Sequence, residues 1–398
     1  MKLLIYSHYF TPSVGGVETI VTLLARKLSD TGKPPGADAA EKLEVTVATQ
    51  TSASNFDDRT LPFPVVRTPS FFHLWRLIRS ADVVHIAGPS LAPMLLAKLA
   101  RKPYAVEHHD YQAICPNGVL IHQPERAICP GYFQAKRYGA CIRCQQQEMS
   151  LPRAVAKLLE MFPRHSLSRA ANSNIFITRH SLDRHRLPQG QVIYYGIEPA
   201  QNTESQREQP SPGTRDSRPE PACFAYVGRL VPEKGLNTLL RAAMLLKDEN
   251  LRFQVLLIGD GPERADLESQ IAANNLQDIL RVTGFLRGSA LTDQMSQVDA
   301  VVMPSVWEET AGLAAIEQMM RGRLVIASDI GGLGEVVGDA GLKFLAGKAR
   351  PLADQMKKVI QNTEEVAALE KLAHDRAQSL FHADRMVAEH IAAYRQIL

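Results

Sequence analysis

The chain has 398 residues, 45% apolar and 22% charged. At roughly 150 residues per domain this supports two domains with real cores, and it excludes whole-chain disorder and fibrous architectures. No run of about 18 apolar residues occurs, which excludes a transmembrane helix.

The net charge of +3 is unevenly spread: residues 1–198 hold 23 Lys and Arg against 15 Asp and Glu, and residues 199–398 hold 22 against 27. A basic half beside an acidic half points the first half toward an anionic partner. The opening run, MKLLIYSHYFTPSVGG, lacks the apolar core and small-residue cleavage site of a signal peptide. It reads as a first strand, and cytoplasmic residence is the expectation. Strand-like runs continue at 43–48, 82–87, 104–109, 174–178 and 191–195, with amphipathic stretches at 17–29 and 90–100 between them. Residues 199–221 then carry Pro, Ser, Gln and Arg without apolar periodicity and read as a linker or disordered loop. A second series follows, with strands at 223–227, 254–258, 280–283, 300–303, 324–327 and 341–345 and helices at 235–247, 263–274, 289–297 and 312–321. The segment 383–398 is an amphipathic helix expected to pack back on the first domain. Strands alternating with helices predict α/β architecture with two doubly wound domains, 1–198 and 222–382. Ligands of such sheets sit outside the carboxyl ends of the strands.

Four strand exits in the second half carry candidate chemistry. On Gly228-Arg229-Leu230-Val231-Pro232-Glu233-Lys234-Gly235, two cations flank a turn that opens a helix, a setting suited to a diphosphate. The glycines of Ile258-Gly259-Asp260-Gly261-Pro262 permit close backbone approach. Glu309 precedes a helix and Glu317 lies inside it; eight residues at helical rise span roughly 12 Å, the reach from a sugar across a diphosphate to a ribose. The amides of Thr310, Ala311, Gly312 and Leu313 fall between them, at the positive helix end. Ser328-Asp329-Ile330-Gly331-Gly332-Leu333-Gly334-Glu335 again sends a strand into glycines before a helix.

Together these residues resemble the family 4 retaining glycosyltransferases of the GT-B fold, in which two Rossmann-like domains face across a cleft. The resemblance rests on Glu309 and Glu317 (E-x7-E), Arg229 and Lys234, Gly259 and Gly261, Gly331 and Gly332 with Glu335, the early Gly15-Gly16-Val17-Glu18 loop and the strand ending Glu107-His108-His109-Asp110. It implies transfer from a nucleoside-diphosphate sugar, UDP- or GDP-linked, with retained anomeric configuration. It further implies that Arg229 and Lys234 hold the leaving diphosphate and Glu317 the ribose. Glu309 with Thr310, Ala311, Gly312 and Leu313 would cradle sugar and phosphate. His109 would lie near the donor sugar, Gly15 and Gly16 would close over donor and acceptor, and Phe285 would lie where the backbone meets the base. No D-x-D motif sits at a suitable strand end, so no catalytic metal is expected. The Thr310-Ala311-Gly312 loop departs from the more common Pro or Gly followed by an aromatic or Gly, which bears on the sugar held. A sugar-nucleotide epimerase and a non-catalytic nucleotide-sugar-binding protein are the competing readings.

Cys115, Cys129, Cys141 and Cys144 cluster in a Gly- and Pro-marked insertion after His109 and form a candidate structural zinc set, with reduced or redox-active thiols as the alternative. Residues 71–79 and 151–170 mix apolar side chains with cations and are candidates for peripheral contact with an anionic membrane at the inner face. That contact would imply a lipid-linked acceptor, a carbohydrate acceptor being the alternative. No nucleic-acid recognition motif accompanies the basic half.

Overall fold

Short apolar runs of β-branched residues, each followed by an amphipathic stretch, fold into parallel strands covered by helices. The computed structural model describes residues 1–30, 43–54, 56–198 and 221–398; the expected linker lies outside the described residues except for Pro221. The chain divides into two units, Met1–Ile197 with His382–Leu398, and Glu198–Phe381.

The strands of the first unit are β1 (Lys2–Ser7), β2 (Glu44–Thr49), β3 (Val65–Arg67), β4 (Val83–Ala87), β5 (Tyr104–His108), the hairpin β6 (Ile121–His122) and β7 (Ala127–Ile128), β8 (Ser173–Phe176) and β9 (Gly190–Val192). Seven form a parallel sheet ordered β3-β2-β1-β4-β5-β8-β9, with Leu3 beside both Val45 and Val83. The helix Gly16–Asp30 buries Ile20, Val21, Leu24, Ala25 and Leu28, one stripe at helical spacing, and carries Glu18 in its first turn and Lys27 in its last, as the helix dipole favours. The final helix, Ala383–Ile397, belongs to this unit: Met386, Val387, His390 and Tyr394 are buried, and Lys27 pairs with Asp384 at 3.0 Å. The helix Leu151–Arg169 turns Ala154, Leu158 and Met161 inward, whereas Leu151 and Phe162 face solvent.

The second unit holds β10 (Ala222–Val227), β11 (Phe253–Ile258), β12 (Leu280–Gly284), β13 (Ala300–Met303), β14 (Leu324–Ser328) and β15 (Leu342–Phe344), all parallel in the order β12-β11-β10-β13-β14-β15. Phe224, Leu239, Leu257, Val302 and Ile326 lie in its core. One expectation is corrected here. Gly331, Gly332 and Gly334 do not precede a helix; they lie in the helix Gly331–Val337.

Candidate functional site

Strand order in the second unit reverses between β10 and β13, and the carboxyl edge at such a reversal is where sheets of this kind take their ligands. Arg229 and Lys234 lie on the loop after β10, and Glu309 on the loop after β13. Lys234 Nζ donates to Glu309 Oε1 at 2.7 Å, and the Ser305 hydroxyl hydrogen-bonds the same oxygen. The ammonium also sits 5.8 Å from the centre of the Trp307 ring. The paired side chains are 15% and 6% exposed, so the pair holds one geometry. Arg229 contrasts with them: its side chain is 72% exposed and 3.9 Å from Glu233.

Glycines let these loops touch. A Cβ at Gly259 would overlap the carbonyl oxygen of Gly228, and one at Gly261 that of Leu230. The close approach expected toward a ligand is therefore made to the neighbouring loop, where Leu230 N donates to Asp260 O at 2.9 Å. The helix Gly331–Val337 is tied to the loop after β13, Gly332 N donating to Glu309 O at 2.6 Å.

Thr310 and Ala311 are buried, and Gly312, at φ +90°, starts the helix Leu313–Met320 without a side-chain cap. Its first-turn amides lie at the positive end of the dipole. Glu317 stands half-buried one turn inside; burial raises its pKa and Arg321 opposes the shift. The 12 Å ruler fails, because Thr310, Ala311 and Gly312 are loop and only the remainder rises as a helix. Phe285 is exposed just past β12, with the Arg287 guanidinium 4.6 Å from its ring centre.

In the first unit, Gly15 and Gly16 lie at the start of the helix after β1, and a Cβ at Gly15 would overlap the Glu18 carboxylate. The His109 ring is turned inward: its side chain is 4% exposed, Nδ1 meets Tyr195 Oη at 2.7 Å and Nε2 lies 3.7 Å from Glu107 Oε2. Burial lowers its pKa, and the Glu107 charge partly offsets that. Burial pushes the Asp110 carboxyl up to about 6, although Gln112 donates to both of its oxygens.

Residues 211–376 match the family model described as "Glycosyl transferases group 1". This group 1 match takes in Arg229, Lys234, Phe285, Glu309 and Glu317. Over 171 residues the chain is 36% identical to 2-deoxystreptamine glucosyltransferase of Streptomyces kanamyceticus, covering 42% of this chain and 43% of that protein. It is 33% identical over 198 residues to D-inositol 3-phosphate glycosyltransferase of Rhodococcus erythropolis, covering 46% and 43%. The chain spans less than half the length of these curated relatives. Among solved structures it is similar to Anabaena HepE in complex with UDP and glucose, at TM-score 0.69 and 18% identity over 99% of both chains. Sucrose-phosphate synthase of Thermosynechococcus elongatus gives TM-score 0.69 and 18% identity over 99% and 98%. The fold is GT-B.

Outside the group 1 match, the four cysteines line one small cavity with Pro116, Ile121, His122, Tyr132 and Gln145. Gln123 N donates to Cys144 Sγ at 3.4 Å, and Cys115 Sγ donates to Asn117 Oδ1 at 2.9 Å. Burial raises the Cys115 thiol to about 11 and the Cys141 thiol to about 12. Sequence reasoning missed Ser305 and Trp307, which hold the Lys234–Glu309 pair, and Tyr195, which holds His109. Their signal was faint, since a serine and a tryptophan in a loop carry no period.

Proposed function

We propose that the chain is a retaining glycosyltransferase that moves a sugar from a UDP- or GDP-linked donor to a hydroxyl on a carbohydrate or lipid-linked acceptor. The observation that carries the reading is the Lys234–Glu309 pair at the β10/β13 reversal, flanked by exposed Arg229 and an uncapped helix start. The group 1 match and the UDP bound by HepE support it. As the anomeric bond breaks, negative charge gathers on the leaving diphosphate, and fixed cations with a helix end stabilise it there. Arg229 and Lys234 supply the cations. Glu309 holds Lys234 in place and reaches the sugar hydroxyls, Thr310, Ala311, Gly312 and Leu313 offer backbone amides, and Glu317 takes the ribose diol. Gly259 and Gly261 set the crevice wall, Phe285 lies beside the base, and Gly15 and Gly16 stand on the acceptor side. His109 acts as a positioning residue, its ring fixed by Tyr195. The acceptor oxygen bonds to the anomeric carbon on the face from which the diphosphate leaves, and its proton passes to that leaving phosphate. Turnover is expected to be independent of added magnesium or manganese.

The test is nucleoside diphosphate release with a panel of donors and acceptors, the donors first chosen by thermal shift. Release that needs an acceptor supports the transferase. Donor conversion without acceptor favours the epimerase, and tight donor binding without turnover favours a binding protein.

Two further readings stand on observations in the first unit. The helices Phe71–Ser80, Leu91–Leu99 and Leu151–Arg169 expose Phe71, Phe72, Leu95, Leu99, Leu151, Leu159 and Phe162 beside Arg76, Arg79, Lys98 and Arg153, which suits peripheral contact with anionic lipid. Among the described residues no helix is long and apolar enough to cross a membrane. Cosedimentation with anionic vesicles, lost in Phe71→Ser/Phe72→Ser, is the expected result. Cys115, Cys129, Cys141 and Cys144 share one cavity, but no three of their sulfur atoms lie within 4.8 Å of one another, so a structural zinc there would have to draw them together and take them as thiolates.

A further inference from the structure

Two adjacent strands of the first sheet carry ionisable side chains where their neighbours are apolar: His85 on β4 and Glu107 on β5. Ala87 pairs with Glu107 and His85 with Ala105, so both side chains stand on one face of the sheet. The final helix brings His390 to the same point. All three are 0% exposed. His85 Nε2 lies 3.2 Å from Glu107 Oε2, and His390 Nε2 lies 3.7 Å from Glu107 Oε1. None of these inward atoms makes an aligned hydrogen bond: His85 Nε2, His390 Nε2 and both Glu107 oxygens lack one. Among the described His, Cys, Asp and Glu residues, this is the one set of three whose donor atoms all lie within 4.8 Å of one another.

The outward atoms are held. His390 Nδ1 donates to Met386 O at 2.8 Å, so in the neutral ring the Nε2 lone pair faces the carboxylate. His85 Nδ1 meets the Tyr394 hydroxyl at 3.0 Å. An imidazole lone pair aimed at a buried carboxylate is repulsive unless a positive charge lies between them, and a buried carboxylate without a counter-charge is costly. Imidazoles held through Nδ1 with Nε2 directed inward are the arrangement that second-shell partners give to metal ligands. Zinc bonds of about 2.0–2.1 Å to nitrogen and oxygen set neighbouring ligand atoms roughly 3.3 Å apart, close to the spacings seen here.

We propose that His85, Glu107 and His390 bind a divalent cation of the zinc class, which fastens the last helix of the chain to the first sheet. The site is separate from the cysteine cavity, and on its Glu107 side it borders His109, whose Nε2 lies 3.7 Å from Glu107 Oε2. Every ligand is closed to solvent, so the ion is taken up as the final helix docks.

The test loads full-length protein, refolded with Zn²⁺ alone, and counts retained metal while X-ray absorption reads its ligands. The expected shell includes nitrogen and oxygen at about 2.0–2.1 Å, and persists in Cys141→Ser/Cys144→Ser; thiolate ligation lies at about 2.3 Å. His85→Gln and His390→Gln should each lower retained zinc by about one equivalent. A sulfur-only shell, no retained zinc, or stoichiometry unchanged in both histidine variants overturns the site. The shell is read on the parent protein, so misfolding of a variant does not shield the proposal. Neither readout measures sugar transfer, so this site and the transferase reading fail separately.

Discussion

Lys234 and Glu309 form one mostly buried pair, and under the proposed function their removal separates two kinds of loss. In Lys234→Ala the diphosphate loses a fixed cation, and kcat should fall about 10²–10³-fold, the range for deleting one preorganised donor. The same change leaves the Glu309 charge almost buried against Ser305 alone. Removing one partner of a buried pair costs about 3–5 kcal/mol of stability, and chemical denaturation measures it. Adding Glu309→Gln should restore much of the stability and none of the activity. Recovery of both would remove the pair from the chemistry. Asp110 makes a prediction in pH. Its folded pKa, raised to about 6 by burial, lies above the ordinary carboxylate value. Between about pH 4 and pH 6 the folded state holds a proton that the unfolded state releases, so this group's contribution to stability declines as pH rises through that window. Asp110→Asn keeps an acceptor for Gln112 and abolishes the titration. It should melt above the parent at about pH 7.5 and level with it near pH 4; equal shifts at both pH values would refute the assignment.

Elements were legible wherever a period was long enough to show. The strands at 300–303 and 223–227 and the helix at 312–321 stand within a residue or so of their sequence readings, because β-branched runs and 3.6-residue stripes survive in any tertiary setting. β3 was missed: three residues between Pro64 and Thr68 contain no alternation, and only pairing with β2 makes them a strand. The start of the helix Gly331–Val337 was placed too late because glycine has poor helix propensity, whereas tertiary packing demands its small size. A Cβ at Gly331 would lie 2.8 Å from the backbone of Glu308 and Glu309, so the loop bearing the site needs that helix bare. Lys234 and Glu309 were legible as candidate residues, but not their pairing, since they are 75 residues apart. Gly259 tests the loop-packing account. With φ at +149° and its Cβ position occupied by the Gly228 carbonyl, Gly259→Ala should cost about 2 kcal/mol or more. Gly288→Ala, at φ +54° with open space around it, should cost only about 1 kcal/mol from backbone conformation. Similar melting temperatures for the two variants would mean that the loops do not pack as described.

At the scale of the whole chain, the first unit is built from both ends of the sequence: Met1–Ile197 and His382–Leu398. A helix contributed from so far along the chain is more than a cover. Tyr394 is fully buried with its hydroxyl on His85 of β4, His390 meets Glu107 of β5, and Met386 packs where Gly196 leaves no room for a Cβ. Removing 383–398 would expose these strand side chains and strip Glu107 of a buried neighbour. The second unit draws its core, from Phe224 to Val366, entirely from its own residues. The truncated chain should therefore lose protection unequally. Hydrogen exchange read by mass spectrometry is expected to speed up in β4 and β5 and to stay slow in β10, β11 and β13, because local stability follows buried contacts. A uniform loss across both sheets would show that the units unfold as one cooperative body. Unchanged protection in β4 and β5 would show that the last helix does not hold the first sheet together.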